Sequence, residues 1–239
     1  MSHRLLIIAV IVIFIGGFTA CSAHSTNIVA ITTSTATAHV ITTQVWKDNG
    51  EFKTLQNDIP VLLSAPHAKE HVRNGELKKC DYNTGRICEE VCAISNSYGI
   101  VKTGGQEDPN FSYKSSYRDT AVELVKSHHI LAVLDIHGMK DSRECDICIG
   151  INGGVNIQCN FDLLEKIKNI FEENGLIVSI DKPFSASGKQ TVSSTISSEC
   201  GIPSFQIEIA RKFRESVGSP EFDKIIEALT EIVQLLSQS

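Results

Sequence analysis

The sequence predicts an α/β fold, an open sheet with helices on both faces. Three observations carry this. Short apolar runs alternate with helical-period segments from about residue 61 to the C-terminus. The run Leu131 to Ile136 is apolar enough to be a strand buried on both faces. A composition of 42% hydrophobic and 21% charged residues is that of an ordinary globular chain, which excludes a wholly disordered or fibrous protein.

The elements follow in order. Val40 to Trp46 alternates, and Lys47-Asp48-Asn49-Gly50 then separates it from Glu51 to Leu55; Asn-Gly between two strand-like runs predicts a hairpin. Val61 to Ala65 reads as a short apolar strand, Arg86 to Ser97 as a helix, Ile100 to Thr103 as a strand and Ser115 to Ser127 as a helix. After Leu131 to Ile136 come a strand at Cys145 to Ile151, a helix from Phe161 to Asn174 closed by Gly175, and a strand at Leu176 to Ile180. Thr191 to Glu199 reads as a short helix, Ser204 to Ile209 as a strand and Glu221 to Leu236 as an amphipathic helix. Gly104-Gly105 and Gly153-Gly154 mark turns and lack the spacing of a phosphate loop. His128 and His129 close a helix, where a terminal imidazole complements the helix dipole. No internal repeat is present.

The N-terminus has its own logic. Residues 1–20 carry one charged residue, Arg4, ahead of an apolar run from Leu5 to Phe18, the pattern of a secretory signal. The run is shorter than the roughly 20 apolar residues of a membrane-spanning helix. Phe18-Thr19-Ala20-Cys21 resembles a bacterial lipoprotein signal, so lipidation of Cys21 and plain cleavage near Ala20 or Ala23 both stay open. Residues 21–43, rich in Ser, Thr and Ala, read as a tether, and residues 44–239 as one catalytic domain. The expected location is therefore outside the cytoplasm, periplasmic, extracellular or anchored through Cys21. The chain has a net charge of −6 and no Lys/Arg cluster, which argues against nucleic acid as a partner. A membrane enters only through the N-terminal segment.

Eight cysteines in an exported chain raise the prospect of disulfides. Cys145 and Cys148 stand in a strand-like run, where residues three apart point to opposite faces, which disfavours a metal clip. Cys88 and Cys92 share a helix face and read as small buried hydrophobes. No cysteine sits at a strand end beside a histidine, as a cysteine nucleophile would require.

The polar residues that stand out lie at or near strand C-termini: His67, His137, and Glu208 within Phe205 to Ile209. Open α/β sheets bind ligands there, so three separated segments can meet in one crevice. His67-Ala68-Lys69-Glu70 contains His-x-x-Glu; with His137 it gives two imidazoles and a carboxylate, a zinc ligand set with a fourth position open. Zinc would acidify a water and polarise a carbonyl, leaving Glu208 as the general base. A carboxylate in an apolar strand is costly to bury without a task or partner, and a salt bridge to Arg211 or Lys212 is the plainer explanation. Arg73, Arg118 and Arg211 are candidates to read a substrate carboxylate through the guanidinium fork, and Asp135 to orient a ligand.

Ser64-Ala65-Pro66-His67, the Leu134 to Gly138 segment with Cys145 to Gly150 after it, and Phe205 to Arg211 resemble, in that order, blocks of the N-formylglutamate amidohydrolase family, which is similar to the zinc carboxypeptidases. The resemblance runs from about Val61 to Arg211. It implies a three-layer α/β/α sandwich with a mixed sheet, of phosphorylase/hydrolase type, and one zinc per chain. It further implies His67, Glu70 and His137 as ligands and Glu208 as base. His71 or Asp81 stays open as the third ligand, and Asp108-Pro109-Asn110 echoes a substrate-binding stretch without its following arginine. The expected activity is hydrolysis of a C–N bond in a small acyl-amino acid or peptide carrying a carboxylate. The alternatives are a carboxypeptidase, a poly-γ-glutamate or cell-wall peptide hydrolase with the same site, and a surface binding lipoprotein without turnover.

Overall fold

The computed structural model describes residues 44–238. The expected signal, the Cys21 lipidation site and the tether lie outside the described residues. So does most of the first predicted strand.

Eight strands form a mixed sheet. They are β1 (Lys47–Asp48), β2 (Phe52–Leu55), β3 (Ile59–Ala65), β6 (Ser97–Lys102), β7 (Ala132–Met139), β8 (Ile147–Gly150), β9 (Val178–Ile180) and β10 (Ser204–Ala210), in the order β1-β2-β6-β3-β7-β10-β8-β9. The centre is parallel, with β3 between β6 and β7 and β10 beside β7. The antiparallel pairs are β1/β2, β2/β6 and β10/β8. A separate hairpin pairs β4 (His71–Arg73) with β5 (Glu76–Lys78).

Helices cover both faces. On one, α1 (Thr84–Ser95), α3 (Phe161–Glu173) and α5 (Pro220–Leu236) bury Ile87, Val91, Phe171, Phe222 and Leu229 against Leu63, Leu134 and Ile207. On the other, α2 (Ser116–His128) and α4 (Val192–Cys200) pack together and bury Tyr117, Val125 and Ile196 against Leu62 and Val133. The three-layer α/β/α expectation is borne out.

The two faces differ where the site lies. Strand side chains alternate, so Leu62, Ser64, Val133, Asp135, His137, Gln206 and Glu208 share the α2/α4 face. The register sets Leu62 beside Val133, Ser64 beside Asp135, Asp135 beside Gln206, and His137 beside Glu208. Toward the strand C-termini this face thus turns from apolar to polar.

Several boundaries move. β7 runs through His137 to Met139, so the histidine stands within the strand and not beyond it. In the first hairpin Lys47 and Asp48 pair with Thr54 and Lys53, leaving Asn49, Gly50 and Glu51 as the turn. Asn49 Oδ1 accepts the backbone N–H of Glu51 and of Phe52, which fixes that turn locally. The β4–β5 hairpin was not anticipated, although Asn74-Gly75 at its tip is the same signal. Both residues adopt positive φ, 54° and 77°, as a two-residue hairpin turn demands.

Candidate metal and catalytic site

His67 lies two residues beyond β3, and its carbonyl accepts the N–H of Asp81 at 2.8 Å. That bond returns the chain to the site after the β4–β5 hairpin. Asp81 Oδ2 then lies 3.5 Å from His67 Nδ1 and 3.5 Å from His137 Nδ1. Tetrahedral zinc with bonds of about 2.0–2.2 Å separates its ligand atoms by about 3.3–3.6 Å; both Asp81 contacts match that spacing, and the three ligand atoms all lie within 4.8 Å of one another, close enough to hold one ion.

Each imidazole carries a carboxylate on its other nitrogen. His67 Nε2 is 2.9 Å from Asp108 Oδ1, and His137 Nε2 is 3.0 Å from Asp135 Oδ2. Such partners keep the proton on Nε2 and free the Nδ1 lone pair, the outer-shell arrangement of histidine-bound metals. Asn110 also approaches His137 Nε2, at 3.0 Å, and accepts the Val192 N–H, tying its loop to the start of α4.

The charges of this cluster shift one another. Burial alone would lower the His67 pKa, but the bonds to Asp108 and Asp81 outweigh it and leave it raised. The same opposition raises His137 well above its ordinary value, with Asp135 the main partner. Burial would raise Asp81 and Asp108, yet the neighbouring imidazoles, joined by Arg73 at Asp108, hold both well below the carboxylate range. The cluster attracts positive charge, whether protons or a cation.

Glu208 stands on β10 opposite His137, buried at 6% exposure. Burial raises its pKa against the opposing pull of His137. Gln206 Nε2 donates to its Oε1 at 2.9 Å. The plainer expectation of a salt bridge is not met: Arg211 pairs with Glu215 and Lys212 with Asp146.

These groups line a cleft of about 460 Å³, together with His71, Arg73, Lys78, Lys79, Asn110 and the 183–188 loop. Arg73 Nε donates to Asp108 Oδ2 at 2.6 Å. His71 stacks on His67 with ring centroids 4.2 Å apart and comes within 3.4 Å of Asp108. His67, His71 and Asp108 are close enough to suggest a second metal group, but the guanidinium on Asp108 makes that corner unsuited to a cation.

Three expectations need correction in this geometry. Glu70 is exposed on the turn before β4 and belongs to neither cluster; the structure brings Asp81 to the two imidazoles instead. Arg118 is buried, and its guanidinium donates to the backbone carbonyls of Pro109, Ser112 and Tyr113, so it closes the loop that carries Asp108 and does not line the cleft. Arg211 is exposed over the Tyr82 ring and also lies outside the cleft lining. Arg214 was missed, and Asp108 and Ser64 were named only inside stretches resembling the family, without these roles. Arg214 is buried beneath Gly138, donating to the carbonyls of Ile209, Met139 and Tyr82. Cys88 and Cys92 are buried, as read, whereas the prospect of disulfides is not met: none forms among the described residues.

Residues 111–213 match the N-formylglutamate amidohydrolase family. No curated protein matches in sequence. The N-formylglutamate amidohydrolase from Ralstonia eutropha JMP134 is similar in structure, with a TM-score of 0.60 and 15% identity over 79% of this chain and 97% of its own. A gene product from Agrobacterium tumefaciens gives 0.61 and 14% over 80% and 96%. A bacteriophage poly-gamma-glutamate hydrolase gives 0.51 and 16% over 79% and 90%. These structures share the fold, and the chain resembles that hydrolase family, as its motifs implied.

Proposed function

We propose that this chain is an exported, metal-dependent hydrolase of amide C–N bonds, with His67, Asp81 and His137 as the residues that would hold a zinc ion. The observation that carries the reading is the convergence of two Nδ1 atoms on one oxygen of Asp81, at 3.5 Å each, with Glu208 on the adjoining strand. The match to an amidohydrolase family over residues 111–213 supports the reaction class. Export rests on the apolar leader of residues 1–20.

A divalent cation there would supply Lewis acidity, acidifying water and polarising a carbonyl. Glu208 takes the proton of the attacking water and returns it to the departing amine. Its buried setting raises its basicity toward that task, and Gln206 holds one of its oxygens in place. Asp108 and Asp135 fix the imidazoles. Arg73, Lys78 and Lys79 give the cleft a cationic side within an acidic chain, which suits a substrate carrying a carboxylate.

A second reading, a hydrolase of poly-γ-glutamate or of cell-wall peptides, is favoured by the number of those cations. Lys78 pairs with Glu76 and Arg73 Nε with Asp108, at 2.6 Å each, so Lys79 and the rest of the Arg73 fork are the groups left to meet substrate carboxylates.

The test is metal content and turnover of the purified protein and its Glu208→Gln variant, on formyl, acetyl and γ-glutamyl amides. One zinc per chain in both proteins, with hydrolysis lost only in the variant, is expected. A variant that still hydrolyses at the parental rate removes Glu208 from the chemistry, and a parent that binds metal without cleaving any amide is a binding protein.

A further inference from the structure

Tyr117 sits in the first turn of α2, fully buried, its ring edge-on to Phe52 with centroids 5.6 Å apart. Its hydroxyl reaches the sheet at three points. It accepts the Ala65 N–H at 3.0 Å, donates to the Ile100 carbonyl at 2.8 Å, and lies 3.1 Å from Ser64 Oγ. Ser64 Oγ in turn donates to Asp135 Oδ1 at 2.8 Å, across the β3–β7 register. The other oxygen of Asp135 is the one beside His137 Nε2.

One phenol therefore touches both arms of the site. Ala65 closes β3 two residues before His67, and the Ser64–Asp135 link ends on His137. We propose that Tyr117 is a positioning residue for both histidines, with Ser64 as its connection to the second. This rests on the reading that His67, Asp81 and His137 hold a divalent cation.

Proton counting sets the direction of the chain. The Ser64 proton goes to Asp135, so the hydrogen of the 3.1 Å contact between the two hydroxyls comes from the phenol, which shares its one proton between Ser64 Oγ and the Ile100 carbonyl. With Oδ1 satisfied by Ser64, the Asp135 carboxylate is fixed in rotation and Oδ2 is aimed at Nε2. That holds the His137 proton on Nε2 and its Nδ1 lone pair toward Asp81. Packing alone needs none of this: one step earlier on the same two strands, Leu62 and Val133 face the same helix layer and are apolar. Two hydroxyls and a carboxylate buried at 0% exposure cost stability unless fully satisfied. Here they are satisfied, and the row terminates at the candidate ligand.

The experiment measures zinc affinity by competition with a chromophoric chelator, and the visible absorption bands of the cobalt-substituted protein, on the full-length chain. The variants are Ser64→Ala, Tyr117→Phe and, as a packing control, Val133→Ala. Ser64→Ala and Tyr117→Phe are expected to bind zinc about 10-fold or more weakly, in the range set by outer-shell partners, and to change the cobalt bands. Val133→Ala should lose thermal stability and keep both. If the hydroxyl variants lose stability but keep parental affinity and spectrum, the positioning role is overturned. Should Tyr117→Phe not fold, Ser64→Ala decides alone. A parent that takes up neither zinc nor cobalt defeats the metal reading, and the positioning role with it.

Discussion

His67 and His137 present the same ring nitrogen, Nδ1, to one oxygen of Asp81, while their Nε2 atoms face separate carboxylates, Asp108 and Asp135. The two come from different strands, yet each is held by the same device. A shared acceptor in the centre and a private one behind each ring leaves little freedom in how the rings sit.

The ligand assignment distinguishes Asp81 from Glu70. Asp81→Asn is expected to weaken zinc binding by more than about 100-fold, beyond what loss of an outer partner costs. Zinc should also raise the Tm of the parent but not of this variant, because a ligand stabilises only a state that binds it. Glu70→Gln, altering an exposed side chain, should leave both measurements at the parental values.

The two loop arginines should separate in kind. Arg118→Ala leaves three backbone carbonyls without their buried donor and is expected to cost about 2–4 kcal/mol of stability in urea denaturation. Arg73 is partly exposed in the cleft, so Arg73→Ala should raise KM for a carboxylate-bearing amide by about tenfold with a small change in Tm.

A methyl group at position 138 has no room. A Cβ there would stand 2.4 Å from the Arg214 guanidinium carbon, and that side chain cannot retreat without giving up its bonds to Ile209 and Met139. Gly138→Ala should therefore destabilise by about 2–3 kcal/mol, as overpacking does. A calorimetric melt checks it.

Alkaline pH should weaken the fold in a definite direction. Burial pushes the Cys148 thiol up to about 12 from its ordinary 9.0, and burial raises Cys88 and Tyr117 well above their ordinary values too. Between those ordinary values and the raised ones the unfolded chain binds fewer protons than the folded one, so stability falls as pH rises. The loss should begin near pH 9, and Cys148→Ala should make the slope of denaturation free energy against pH shallower between pH 9.5 and 11.

The sheet and most helices were legible because their signals are local. Ser115, Asn160, Thr191 and Ser219 each cap the helix that follows with a side-chain oxygen. Glu208 was legible because a carboxylate in an apolar strand violates the pattern around it. Asp81 stood only as an alternative to Glu70: it follows a loop, and only the backbone bond to His67 brings it home. His-x-x-Glu suggested Glu70 because it is a spacing rule, and spacing does not say which way a turn residue points. Arg118 reads as a solvated or substrate-facing charge and Arg214 does not stand out, since nothing in the sequence records that carbonyls from distant loops will converge on them.

The bond between Asp81 N–H and His67 O closes residues 68–80 into a loop whose two ends are both candidate ligands. That segment carries Arg73 and Lys78 on a small two-stranded hairpin and Lys79 just after it, and the Val72 N–H ties the hairpin to the Gln106 carbonyl at 2.8 Å. Length or charge at its tip can therefore change without moving the atoms at its base. The arrangement is a cassette: the basic groups that face a substrate and the atoms that would hold an ion sit on separate parts of one closed loop, so the hairpin is the place to alter selectivity.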